Sequence, residues 1–220
     1  METITFIREI LLTPLLEGTL VTLKLIVYSI PIGFLLGILI AIGRVYGNKF
    51  VSSFCSVYTL FFRGSPLLVQ LFILYYGLPS VGIFLSPFTA AVVGFIFCSG
   101  AYHSEYIRGA LQSIKMGQMM AAEALGMSKC QAIFYIILPQ ALRRAIPGCS
   151  NEIIYLIKYS SLAFIVTCVE LTGAGKIVAS RYFAYTEVFL VVGILYLILV
   201  SIVTKGLNVL EKKLEIPGIG

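Results

Sequence analysis

The sequence predicts an all-α integral membrane bundle, with five transmembrane helices and one short helix set on a cytoplasmic loop. Three observations carry this expectation. Of 220 residues, 59% are hydrophobic and only 12% charged, and the mean hydropathy is +1.00, against an apolar share of roughly 45–50% in soluble domains. Apolar stretches of membrane-crossing length recur along the chain. Between them no alternating runs of about ten residues mark a barrel, so helices remain as the spanning structure that meets its own backbone hydrogen bonds in lipid.

A hydrocarbon core about 30 Å thick takes roughly 20 apolar residues per helix. Stretches 19–43, 51–78, 83–102 and 188–210 meet this cleanly. A fifth, 145–169, is apolar in bulk but carries Asn151, Glu152 and Lys158. The whole chain, 1–220, reads as a single transmembrane domain. Its opening, METITFIREILLTPLLEG, has acids where a signal peptide has bases and no small-residue cleavage site. It reads as a short interfacial segment, parted from the first span by Pro14 and Gly18. The cysteines at 55, 98, 130, 149 and 168 lack CxxC spacing and read as buried thiols, not a disulfide or metal framework.

A net charge of +6 raises the question of nucleic acid, but in so apolar a chain the placement of the charges decides more than their sum. With these spans, one set of loops holds Arg44, Lys49, Arg108, Lys115, Lys129, Arg143, Arg144, Lys205, Lys212 and Lys213. The other holds little beyond Arg8, Lys176 and Arg181. The positive-inside rule then places the N-terminus outside, and the loop 103–144 and the C-terminus in the cytoplasm.

Within that loop Gly117 and Gly126 bracket QMMAAEAL, about two turns or roughly 12 Å of strong helix formers. Met120, Ala124 and Met127 fall on one stripe with Ala121 and Leu125 beside it, while Gln118, Ala122 and Glu123 lean away. Small and flexible residues suit a peg entering a partner's apolar groove. An interfacial helix lying on the membrane is the other reading. Pro139 disfavours an uninterrupted helix into the next span and predicts a hinge or offset there.

Gly126, followed after nine residues by Ile136-Ile137-Leu138-Pro139, resembles the second half of the cytoplasmic EAA loop in permease subunits of binding-protein-dependent ABC importers. The blocks FFRGSPLLVQLFILYYGLP (61–79), SGAYHSEYIRGALQSI (99–114), ILPQALRRAIPGCSNEIIYLIKYSSL (137–162) and SRYF with EVFL (180–190) resemble its polar amino-acid branch. The resemblance spans about residues 15 to 212. It implies a bacterial inner-membrane protein that pairs with a second permease copy or homologue, two cytoplasmic ATPase subunits and an extracytoplasmic solute-binding protein. The short helix would be the coupling helix, with Gly117, Met120, Ala121, Ala122, Glu123, Ala124, Gly126 and Pro139 as its coupling residues. Met120 stands where the family motif usually begins with Glu, so the contact is expected to be mainly apolar; the alternative is that Glu123, about 60° round the helix, makes it.

Ionisable residues inside a span cost about 2.5 to 3.5 kcal/mol on insertion scales and are functional candidates by default. Arg63 interrupts the second span beside Gly64 and Pro66. It either faces the protein interior or an aqueous vestibule, or snorkels at the cytoplasmic boundary. Asn151, Tyr155 and Lys158 share a face, with Glu152 and Tyr159 beside it; the stripe lines a solute path or glues helices together, with Glu152 and Lys158 as an ion pair. The path residues expected are Arg63, Gln70, Asn151, Glu152, Tyr155, Lys158, Ser160 and Ser161. Ser160, Ser161 and Asn151 would meet an amino acid's charged ends, and Glu152 would favour a cationic, hence basic, substrate. Tyr159 stands where the resemblance leads one to expect Asp or Asn.

Catalysis is not expected. His103 beside Ser104 cannot form a base and nucleophile pair, because adjacent helical residues point about 100° apart. No HExxH and no Walker sequence occurs, so ATP and Mg²⁺ are expected on a partner subunit and no cofactor or metal on this chain. The competing expectation is a secondary carrier driven by an ion gradient, with Glu152 and Lys158 as relays; it predicts inverted repeats, which five spans do not display. A membrane scaffold is a third reading, and it would lack a continuous polar face.

Overall fold

The computed structural model describes residues 11–214, all of whose regular structure is helical. Helix α1 (Thr13–Tyr46) is 34 residues long, about 51 Å at 1.5 Å per residue, and so exceeds the hydrocarbon thickness. The expected separation at Pro14 and Gly18 does not occur. Proline is tolerated in a first helical turn, where its missing N–H has no partner to lose. Gly18 is a packing position: a Cβ there would lie 2.8 Å from that of Ala174. The rest of the predicted interfacial segment lies outside the described residues.

Helix α2 (Lys49–Gly64) and helix α3 (Leu67–Phe72) replace the single second span of the sequence reading. After α3 the chain continues through a π turn, Ile73–Gly77, and a 3-10 turn, Leu78–Val81, and this unit is bent by 102° from α2. The cause is Pro66, which cannot continue the hydrogen-bond ladder and drives Ser65 into an extended conformation.

Helix α4 (Pro87–Ser113) starts under a Ser86 cap that accepts from the Thr89 N–H at 3.1 Å. It runs well past the expected end at residue 102. Thr89, Ser99, His103 and Ser104 make α4 more polar than a lone lipid-facing span, and the last three are fully buried. Protein surrounds it instead of lipid. Against α1 it packs at glycine depth: a Cβ on Gly33 would meet Ser99 Oγ at 2.2 Å, and one on Gly37 would meet His103 Cβ at 2.6 Å. This four-residue glycine spacing permits close backbone approach, the main route to helix association where lipid is as apolar as side chains. His103, expected at the interface or in packing, is 0% exposed and sits edge-on to Phe34 at 5.5 Å.

Helix α5 (Met116–Ala124) is the short helix of the loop, and α6 (Lys129–Gln131) opens the return through a π turn, Ala132–Ile137, into α7 (Leu138–Tyr159). The offset predicted at Pro139 takes the form of that π turn. A π register shifts each acceptor by one residue, which accommodates a residue lacking an N–H, and Gln140 Nε2 donates to the Ile136 carbonyl at 2.7 Å. The predicted fourth span, 145–169, changes form at its C-terminal end. Helix α7 tightens into a 3-10 segment, Ser160–Val166, and turns at Thr167, whose φ of 61° is left-handed.

Helix α8 (Leu171–Tyr182) occupies what the sequence reading took as loop, bent 53° from the preceding unit. Its cap is Glu170, 0% exposed, which accepts from the backbone N–H groups of Thr172 and Gly173 at 2.9 Å each. The Tyr196 hydroxyl donates to the same carboxylate at 2.8 Å. Helix α9 (Tyr185–Leu214) is the last, and with α1 is long and apolar enough to cross a bilayer alone. The bent pairs α2 with 67–81, and 129–166 with α8, pass the same test as broken spans. The fold is an all-α integral membrane bundle.

Of the cysteines, four are buried as expected, but Cys130 is exposed on α6. Two glycines on outer helices provide a test of the packing argument. Gly37→Val should lower the thermal midpoint of the detergent-purified protein strongly, since its Cβ meets the α4 backbone as well as His103. Gly193→Ala, whose Cβ meets nothing, should be neutral or stabilise by about 0.5–1 kcal/mol through helix propensity; circular-dichroism melts compare the two.

Candidate functional site

The short helix α5 is mounted so that one face is held and the other offered. Ala122 is 4% exposed and Met119 packs on the buried cluster of α1, α4 and α7 that includes Ile107, Leu111 and Ala141. Met120 is 64% exposed and Leu125 84%, and Ala121, Glu123 and Ala124 are exposed as well. Met127 is half-buried beneath the helix end. Thus most of the predicted stripe points away from the bundle, while Ala122 points in.

The helix stops at a Schellman arrangement. Gly126 takes φ 84°, the Gly126 N–H donates to the Glu123 carbonyl at 2.9 Å and the Met127 N–H to that of Ala122 at 3.1 Å. Without a Cβ penalty at that angle only glycine closes the turn cheaply. Gly117, at the start, has open space around it. Two further devices hold the mount. Arg144 Nη1 donates to both the carbonyl and Oγ of Ser113 at 2.9 Å, and Ser128 and Gln131 form a reciprocal capping box. Pro139 stands one helical segment behind, in the first turn of α7.

The predicted polar stripe on α7 divides by burial. Asn151, Tyr155, Lys158 and Tyr159 are exposed, whereas Glu152 is 3% exposed. The expected ion pair of Glu152 with Lys158 does not form. Lys158 Nζ instead lies 4.4 Å over the Tyr155 ring, which stacks on Tyr159 at 6.0 Å. Glu152 lies on the adjacent face and is turned inward. Ser160 and Ser161 differ from expectation in a chemical respect. Their hydroxyls donate back to the carbonyls of Ile157 and Lys158 at 2.7 Å each, as the 3-10 turn brings those acceptors close. They keep acceptor lone pairs but no free donor.

Gln70 is buried and bonds to protein. Its Nε2 donates to the carbonyls of Phe62 at 2.9 Å and Ser65 at 3.1 Å, and to Ser65 Oγ at 3.1 Å. The Phe62 carbonyl is the acceptor that residue 66 would serve in an unbroken helix, and proline has no N–H to give it. The Gln70 Oε1 is buried without a protein partner.

Arg63, at the end of α2, turns its guanidinium onto Glu105 of α4, with Nη1 3.4 Å from Oε1, and lies 5.2 Å over the Tyr102 ring. Arg44 of α1 bonds the same Oε1, and Arg108 donates to Oε2 through Nη2 at 2.7 Å and Nε at 3.0 Å. Sequence reasoning assigned these arginines to loops and a span, without bringing them together; only the three-residue step from Glu105 to Arg108 was legible. A cavity of about 300 Å³ opens beside them, lined by Ser56, Thr59, Leu60 and Gly64 as well as by Arg44, Arg63, Tyr102 and Glu105.

The fold is an all-α membrane bundle with a short exposed helix in one loop and a buried acid on α7, and the comparisons assign it to a class of transport permeases. The chain belongs to the family described as binding-protein-dependent transport system inner membrane component, which matches residues 33–216. It is 38% identical over 201 residues to the nopaline transport system permease protein NocM of Agrobacterium fabrum, covering 87% of this chain and 83% of that one. It is 39% identical to the probable amino-acid ABC transporter permease protein YckA of Bacillus subtilis, covering 90% and 88%. The putative glutamine transport system permease protein GlnP of Rickettsia typhi is also 39% identical, with 91% and 92% covered. Among solved structures, an amino acid ABC transporter with histidines superposes with a TM-score of 0.83 at 33% identity, covering 91% of this chain and 94% of that one. The MetNI methionine transporter, at 21% identity and a TM-score of 0.78, shares the fold.

Gln70 yields a sharp chemical test. Gln70→Leu should destabilise by about 1–3 kcal/mol, the cost of stranding buried acceptors. Gln70→Glu should be no better, because a carboxylate cannot donate to carbonyls; urea or thermal unfolding of the three proteins decides it.

Proposed function

We propose that this chain is the transmembrane permease of an ATP-driven importer of polar amino acids, crossing a bacterial inner membrane five times with its N-terminus outside and its C-terminus in the cytoplasm. In this reading α1, the α2–α3 unit, α4, the α7 unit and α9 are the crossings. Its partners are an ATPase subunit, a second permease copy or homologue, and an extracytoplasmic solute-binding protein. The observation that carries the reading is the mounting of α5, whose inner face is fastened to the bundle while Met120, Ala121 and Ala124 stand free.

A helix held in this way transmits displacement. When ATP closes the ATPase pair, the groove gripping the free face of α5 moves, and the packing of Met119 on the bundle carries that movement into α4 and α7, which Arg144 and Ser113 tie together. Those helices bear Glu105 and Glu152. An alternating opening of the polar stripe first to one side and then to the other follows from a rigid shift of this kind. ATP and Mg²⁺ belong to the partner, and the energy enters here as mechanical work.

The substrate is a polar amino acid, in keeping with relatives named for nopaline and glutamine transport. Glu152, buried without an ion pair, is suited to the ammonium or to a cationic side chain, and this favours a basic amino acid. Asn151, Tyr155 and Lys158 form the wall along which the solute passes before it reaches Glu152.

The experiment is reconstitution with the ATPase and binding protein in vesicles and a panel of labelled amino acids, with and without nucleotide. Uptake is expected only with ATP; uptake driven by an ion gradient without nucleotide would make this a secondary carrier. Met120→Asp should abolish co-purification of the ATPase and ATP-coupled uptake by placing a charge in an apolar groove, whereas Glu123→Lys should leave uptake within about threefold, under 1 kcal/mol. Normal coupling in Met120→Asp would show that another face docks.

A further inference from the structure

The arginines around Glu105 are too many for one carboxylate. Three guanidinium groups, from α1, α2 and α4, face two oxygens, which leaves an excess of two positive charges beside a cavity of about 300 Å³, the lower end of the size range of small-molecule sites. They are not equally engaged. Arg44 and Arg108 are within hydrogen-bond distance of the carboxylate, and Arg108 Nη1 also donates to Gln112 at 2.8 Å. Arg63 Nη1 stops at 3.4 Å, beyond the usual 2.7–3.2 Å for N–H···O. Its side chain is also the most exposed of the cluster at 40%.

Arg63 therefore presents uncommitted donors, and Tyr102 beneath it at 5.2 Å steadies the guanidinium. The wall beside it is open, for a Cβ on Gly64 would meet nothing within 4 Å. Glu152 is buried and does not line this cavity, so Arg63 is the member of it with donors to spare. A guanidinium with free donors beside an open cavity complements a carboxylate. The serine hydroxyls that sequence reasoning put forward for the carboxylate have already donated to Ile157 and Lys158.

We infer that the cavity beside Arg63 is a carboxylate site, which takes the acid end of the passing amino acid through Arg63. This rests on the amino-acid reading above and adds the group that recognises the carboxylate. Guanidinium suits the role because its planar fork meets both carboxylate oxygens at once, a geometry lysine lacks.

The test is direct binding of L-arginine and L-glutamine, each against its α-carboxamide, to the permease–ATPase complex without the binding protein in phosphatidylcholine nanodiscs. The parent should prefer one acid over its amide by about tenfold or more. Arg63→Gln should reduce that preference to within about twofold, and Arg63→Lys should restore part of it. Gly64→Val, which narrows the cavity without touching a charge, should weaken acid and amide alike. A parent without acid preference, an Arg63→Gln protein that keeps it, or Gly64→Val binding as the parent does would each overturn the inference. So would an Arg63→Gln protein that loses acid and amide equally, which marks a structural role. Repeating the series with phosphatidylglycerol separates a lipid source: if Arg63→Gln changes only lipid retention, the site belongs to a headgroup phosphate and the inference fails. ATP-driven uptake by the parent is scored separately, so its absence would refute the transport reading itself.

Discussion

One carboxylate joins three helices here, because Glu105 draws arginines from α1, α2 and α4. Arg44, Arg63 and Arg108 converge on Glu105 and so tie the end of α1, the end of α2 and the inner part of α4 to one point. An arginine left in lipid costs about 2.5 to 3.5 kcal/mol on insertion scales. The convergence gives Arg63 a counter-charge at 3.4 Å and holds α2 where its last turn breaks. Because α4 is also the helix that α1 grips at Gly33 and Gly37, the position of Glu105 is set by backbone packing and not by a flexible surface.

The irregular backbone follows the same logic. Pro66 deprives the Phe62 carbonyl of its helical donor, and Gln70 supplies one from the next turn. Pro139 lacks an N–H, and a π turn with Gln140 fills the neighbouring acceptor. At Thr167 the chain reverses in a left-handed conformation, after which Glu170 caps α8 and accepts from Tyr196 of α9. At each break side chains take up backbone groups that the regular helix leaves free, as non-helical backbone in a membrane bundle requires. The breaks also aim the pieces: the first turns α3 away from α2 by 102°, and the second lies between the short helix α5 and α7.

The peg was legible because its signals are local. Gly126 marks a helix end that needs a positive φ, and the helical periodicity separates Met120 and Ala124 from Ala122. The double break of the second span was half legible. Gly64 and Pro66 announced it, but the apolar length of 51–78 argued for a continuous span, and length carries no information about direction. Helix α8 was missed because Gly173 and Gly175 make LTGAGKIVASRY read as loop; its helicity comes from packing on α1 and α9, which tolerates poor helix formers. Glu170 left a faint trace, since glutamate is not a favoured cap residue.

The sequence by itself determined that the chain is a membrane bundle and that a small exposed helix lies between apolar segments. Composition, hydropathy and helical period need only neighbours along the chain. The tertiary structure alone decided which polar residues meet. Arg44 and Glu105 are 61 residues apart, and nothing in either neighbourhood names the other. Equally, Glu152 and Lys158 look like partners in sequence, yet the burial of one and the exposure of the other place them in different surroundings. Pairing of this sort depends on where whole helices come to rest, and that is set by glycine contacts, broken turns and shared charges acting together.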